Sequence, residues 1–184
     1  MKKLWGILLV ILLSPQIVKA QISFDPGEGC LNVVDFTAGK GFGESGSNSI
    51  AAKYVHERFI NEQFSVGAGV GYSYLNSYHF SAIPLFFSTH YFFFLDQRFT
   101  PFVNLRAGVY WPIGAESIQP GVSLYVASSA GLKVHITPHI SILASVGYDG
   151  YLVKTLDSVK NDYQTKIASG LGISVGLCFQ IPGW

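Results

Sequence analysis

Eight residues that carry or balance charge fall on one phase of segments that alternate residue by residue: Asp35, Lys53, Glu57, His90, Asn104, Arg106, Lys133 and Asp149. Asp35 lies between Val34 and Phe36, Lys53 between Ala52 and Tyr54, and Arg106 between Leu105 and Ala107. A charge held among such neighbours must find a partner, because burying it alone is strongly unfavourable. The chemistry on offer is therefore ion pairing within an enclosed space. Glu57 with Arg106, or Glu57 with Lys133, would form a central pair. That pair either plugs a gated pore or belongs to a permanently closed, polar-filled core, and an enclosure built from few elements favours the closed core.

Other chemistry is sparse. Cys30 and Cys178 lie near the two ends of the chain, and export would permit a disulfide between them. Strict alternation puts the two thiols on opposite faces, unless the Val33-Val34 doublet is a bulge that resets the first strand. A bridge and two free thiols both stay open. No Zn-ligand spacing, phosphate-cradling glycine loop or paired-carboxylate motif is present, so neither metal nor cofactor is expected. His139-Ile140-Ser141 reads first as a turn histidine followed by a strand serine.

The elements that must position these groups follow from composition and period. The chain has 184 residues, enough for one domain. Lys2, Lys3, the apolar run through Leu13 and the small-residue ending Val18-Lys19-Ala20 predict a cleavable signal peptide over 1–20, leaving 21–184 as the domain. Three of the 12 Lys and Arg lie in that leader and none of the 11 Asp and Glu, so the mature net charge is −2 and argues against nucleic acid. Only 12% of residues are charged and 15% are aromatic, too greasy a balance for a small water-soluble domain. Yet the mature chain has no apolar run of about 18 residues, so helical membrane spans are excluded.

A closed β-barrel resolves the conflict, because each strand shows lipid only every second residue. Eight period-two segments are visible: about Leu31–Gly41, Ser49–Phe59, 64–74, Ser81–Phe93, Pro101–Trp111, Val122–His135, Ile140–Tyr151 and Ala168–Ile181. In F-S-V-G-A-G-V-G-Y-S-Y (64–74) a bulky apolar row alternates with Gly and Ser. The bulky row is expected to face acyl chains and the small row a crowded interior. A soluble sandwich or ligand-carrying barrel would instead turn the bulky row inward and charge its outside. The expected fold is all-β: an eight-stranded antiparallel up-and-down transmembrane barrel. Short links at Asn61-Glu62, Leu95–Thr100 and Thr137–His139 alternate with longer ones, the longest being Leu152–Lys166, so both termini are expected on the periplasmic side. That longest loop carries Lys154, Asp157, Lys160, Asp162, Tyr163 and Lys166 and is a candidate contact site for a surface ligand. Pro84 breaks the pattern, since it removes a ladder donor inside the fourth strand, and predicts a bulge or a late strand start.

The stretches FSVGAGVGYSYL, IPLFFSTHYFFFLDQRFTPFVNLRAGVYW, SILASVGYDGY and GLGISVGLCF make the chain resemble the OmpA/OmpX-like small outer-membrane barrels, in the form common in Bacteroidetes. The resemblance implies localisation in the cell outer membrane among its lipids and insertion by the barrel-assembly machinery. It implies an aromatic insertion signal closing the last strand. Phe179 is in register for that signal, with Trp184 trailing behind it. A monomer is expected. His139-Ile140-Ser141 is similar to the His-x-Ser of barrel lipid A deacylases, but it falls on a periplasmic turn, away from lipopolysaccharide. Asp157-Ser158-Val159 resembles an O-glycosylation acceptor. The expected role is structural or surface-interacting without catalysis, with a narrow pore and a lipid-modifying enzyme as the alternatives.

Overall fold

A computed structural model of the chain describes residues 29–42, 46–93, 98–114, 121–137, 139–157 and 162–181. The expected signal segment 1–20, Ser158, Lys160 and Trp184 lie outside them. Eight strands run β1 (Cys30–Gly41), β2 (Ser49–Phe59), β3 (Phe64–Leu75), β4 (Phe80–Phe92), β5 (Phe99–Ile113), β6 (Ser123–His135), β7 (Ile140–Asp157) and β8 (Asp162–Ile181). A single 3-10 turn, Asn76–Tyr78, links β3 to β4. Each strand pairs antiparallel with its sequence neighbour, and β8 returns to β1, so the sheet closes on itself.

The register fixes how the strands lean. Stepping between partners from Cys30 leads through Arg58, Val66, Thr89, Leu105, Ser128, Tyr148 and Leu171 to Lys40. The circuit ends ten residues farther along β1, a shear that tilts eight strands by about 40°.

Alternation places the bulky rows outside. Phe87 is 78% exposed and Ile173 66%, along with Phe36, Ile50, Tyr72, Leu85, Leu105, Leu124, Val126, Val146 and Leu171. The bulky residues of the 64–74 stretch also sit on the outer face, with Val70 and Tyr72 exposed while Ser65 and Ser73 are buried. Inward glycines leave room for the large inward side chains. A Cβ on Gly69 would lie 2.6 Å from Phe86 Cε2, and one on Gly71 would lie 2.9 Å from Lys53 Cγ.

Two sequence expectations change here. Pro84 produces neither a bulge nor a late start, for β4 already begins at Phe80. The β3–β4 ladder skips Gly71 and Tyr72, opposite Pro84 and Ile83, and resumes in the same register. The missing donor is absorbed as an interruption on one side, while β4 pairs with β5 without a break. The expected loop at Leu152–Lys166 is in fact mostly strand. Leu152 to Asp157 pair with Ile167 to Asp162, beyond the last β6 partner at Tyr151 and the last β1 partner at Gly170. This makes a two-stranded ribbon whose outer edges pair with no other strand of the described residues.

Candidate functional site

The eight positions, seven titratable and Asn104 a neutral amide, all lie on inward rows, as their phase in the strands requires. Asp35, Lys53, Glu57, His90, Asn104, Arg106 and Lys133 are buried, and Asp149 is nearly so. The pairs they form differ from the expected ones. Glu57, fully buried, is met by His90 Nδ1 at 2.8 Å and by the Ser65 hydroxyl at 2.5 Å. Arg106 reaches Asp35 at 2.6 Å, and Lys53 reaches Asp149 at 2.8 Å. Neither Glu57–Arg106 nor Glu57–Lys133 forms.

The physical reason lies in the tilt. Ser65 is the β3 partner of His90, and Gly67 is the β3 partner of Glu57. A serine and a side-chain-free position therefore separate Glu57 from β4, and its carboxylate spans β3 to the histidine. Arg106, on β5, finds its anion across the axis on β1 instead. Lys133 extends over the ring of Phe92, 5.0 Å from its centroid. Asn104 donates to the Ser88 hydroxyl and to the Thr89 carbonyl, tying β5 to β4 beside the Glu57–His90 pair.

The interior is less uniformly polar than the alternation implies. Near the rim that carries both termini, His90 stacks on Phe92 at 5.6 Å, and Phe92 packs against Phe59 and Phe102. Toward the opposite rim, Phe80, Tyr110, Tyr151, Tyr125 and Phe86 form a continuous chain of ring contacts. The phenols find partners: Tyr125 donates to Asp149, Tyr151 to Ser73 and Tyr110 to the Leu152 carbonyl. Between the two aromatic layers lies a cavity of about 30 Å³, large enough for one or two water molecules. Asp35, Lys53, Asn104, Arg106 and Asp149 line it together with Ser129, Ser145 and Ser174. Arg106 Nε is buried without a hydrogen-bond partner among the described residues.

Sequence reasoning missed the phenols and Ser65 as members of this network. Their inward phase was visible in the alternation, but an aromatic side chain gives no sign of joining a charge cluster.

The remaining candidates separate. Ser141 is buried on the inward row and bonds His135 Nδ1 at 3.1 Å, while His139 is exposed on the turn. The serine of the His-x-Ser stretch therefore pairs with His135 on the neighbouring strand and not with His139 of its own motif. Cys30 and Cys178 are both free. Cys30 sits opposite Ile181 and Cys178 opposite Val33, in an unbroken register without the bulge that a bridge needed. The two thiols point to opposite faces. Phe179 lies on the outer row of β8 and is exposed. Among the described residues no group of three His, Cys, Asp or Glu could hold a metal ion.

No protein-family model and no curated protein sequence matches the chain. Solved structures do share its fold. It is similar to Neisserial surface protein A, with TM-score 0.61 and 17% identity over 83% of this chain and 97% of that one. It is similar to the outer membrane protein OprG from Pseudomonas aeruginosa, with TM-score 0.57 and 10% identity over 85% and 98% of the two chains. It is also similar to the outer membrane protein AlkL, with TM-score 0.51 and 11% identity over 84% and 90%. At these identities the likeness establishes the architecture, the closed eight-stranded barrel of small outer-membrane proteins.

Proposed function

We propose that the chain is an integral outer-membrane barrel with a closed interior and a structural or surface-interacting role. The belt of exposed Phe, Ile, Leu and Val on every strand supports placement in a bilayer, since that much apolar surface in water would drive association. In this reading the leader exports the chain, the assembly machinery inserts it by way of Phe179, and it stands as a monomer with both termini in the periplasm. Asp157-Ser158-Val159 would be glycosylated on the outside.

One observation carries the closed reading: the Lys53–Asp149 and Arg106–Asp35 ion pairs cross the interior, and the Glu57–His90 contact and two layers of packed aromatic rings fill the space beside them. Each pair holds its own geometry, and no side chain has to leave the lumen for the fold to be complete. The β7–β8 ribbon is the part that reaches beyond the other strands. Its unpaired edges suit an extended segment of a surface ligand, which would add as a further strand.

The cavity beside Arg106 gives the narrow-pore reading its only support, and planar-bilayer recording separates the two. The closed barrel predicts no steady openings in the native protein. Steady large openings would overturn it in favour of a pore. An unchanged lipid A mass on expression is expected, and a shifted mass would favour a lipid-modifying enzyme.

A further inference from the structure

The outer wall carries a polar patch on β1 and β2 that the interior network does not explain. On the outward rows of β1 and β2, the Asn32 amide oxygen accepts from Tyr54 Oη at 2.9 Å and from His56 Nδ1 at 2.8 Å. Arg58 is exposed one rung nearer the terminus-bearing rim, opposite Cys30, and makes no ion pair among the described residues. With its oxygen doubly engaged, Asn32 offers its NH2 group as a donor, on the same outward row as Cys30, the β1 partner of Arg58.

The patch is a notch in the belt rather than its ordinary lower edge. At the same rungs, β8 presents Phe179 and Ile181 opposite Asn32 and Cys30, and β3 presents Ala68 and Val66 opposite His56 and Arg58. Apolar rows therefore continue toward the rim on both sides. None of the outward rows of β8, β1, β2 and β3 carries a carboxylate. An arginine at the edge of hydrocarbon that makes no ion pair among the described residues is open to an anion from outside.

We propose that this notch binds the phosphate of a phospholipid in the periplasmic leaflet, with Arg58 as the principal ligand and the Asn32–His56–Tyr54 cluster as its polar seat. The flanking Phe179 and Val66 rows would hold the acyl chains. A second copy of the chain fits less well, because the outward rows of β8, β1, β2 and β3 would offer Arg58 no carboxylate across the contact. This inference rests on the membrane reading above.

Native mass spectrometry of the full mature protein, released from maltoside micelles containing dioleoylphosphatidylglycerol, tests it. The wild type is expected to retain about one lipid per barrel, and His56→Ala/Arg58→Ala to lower that retention at least about fivefold, as loss of charge-assisted hydrogen bonds implies. Arg58→Lys, which keeps the charge and loses the planar fork, should retain more lipid than the double variant and less than the wild type. Dioleoylglycerol, with the same tails and no phosphate, should not be retained. Both variants change exposed side chains, and an unchanged heat-dependent gel mobility verifies that they fold. Equal retention by wild type and double variant, equal retention of the two lipids, or lipid-free dimers would each overturn the proposal while leaving the membrane reading intact. Failure of the wild type to insert into vesicles would remove both.

Discussion

At the residue scale, the interior is organised by which charges can meet. Lys53 and Asp149 lie almost entirely out of water, and removing one leaves the other uncompensated. Lys53→Met should therefore lower stability by about 3–5 kcal/mol, read as a shift in the urea midpoint of the protein folded in vesicles. Lys53→Met/Asp149→Leu should recover most of that loss, and a double variant no more stable than the single would show that the pair is not the reason. Gly69 makes a different prediction. A Cβ there meets the Phe86 ring and, at 2.7 Å, the Tyr54 carbonyl. Gly69→Ala should cost about 1–3 kcal/mol by overpacking. Phe86→Leu should relieve only part of it, because the carbonyl stays in place. The phase of these residues was legible in the sequence, as Asp35, Lys53, Glu57 and Arg106 all point inward as alternation requires. Their partners were not legible. Whether Arg106 meets Glu57 or Asp35 depends on the shear, a sum of registers around the whole barrel that no single strand encodes.

At the scale of elements, strand existence was readable from period two, and strand ends were less so. The β7–β8 link reads as a loop because Lys154, Asp157, Asp162 and Lys166 make it polar. It forms a ribbon because Leu152, Val153 and Ile167 extend the strand-forming sequence past the last β6 and β1 partners, with Val153 still buried. Since residues 155–164 lie beyond the partners on β6 and β1, replacing them with a short Asn-Gly turn should leave barrel folding unchanged. Heat-dependent gel mobility should match the parent, while binding to any surface ligand that uses the ribbon's edges is lost. A variant that no longer folds would mean that the ribbon nucleates the closing β7–β8–β1 pairing. Pro84 carries the complementary lesson: its local rule was legible, and the sheet tolerated the missing donor as a gap in the ladder rather than by shifting register.

At the scale of the whole molecule, the account places hydrocarbon outside a cylinder whose axis is filled by rings and neutralised charges. A nitroxide scan along β7 tests this most directly, with single cysteines introduced from Ile142 to Tyr148 into a Cys30→Ser/Cys178→Ala background in phosphatidylcholine vesicles. Collision with oxygen, which concentrates in the bilayer, should be high at residues 142, 144, 146 and 148 and low at 143, 145 and 147. The odd positions should also be shielded from a water-soluble nickel chelate. Even positions shielded from oxygen, with odd positions open to the chelate, would contradict the account.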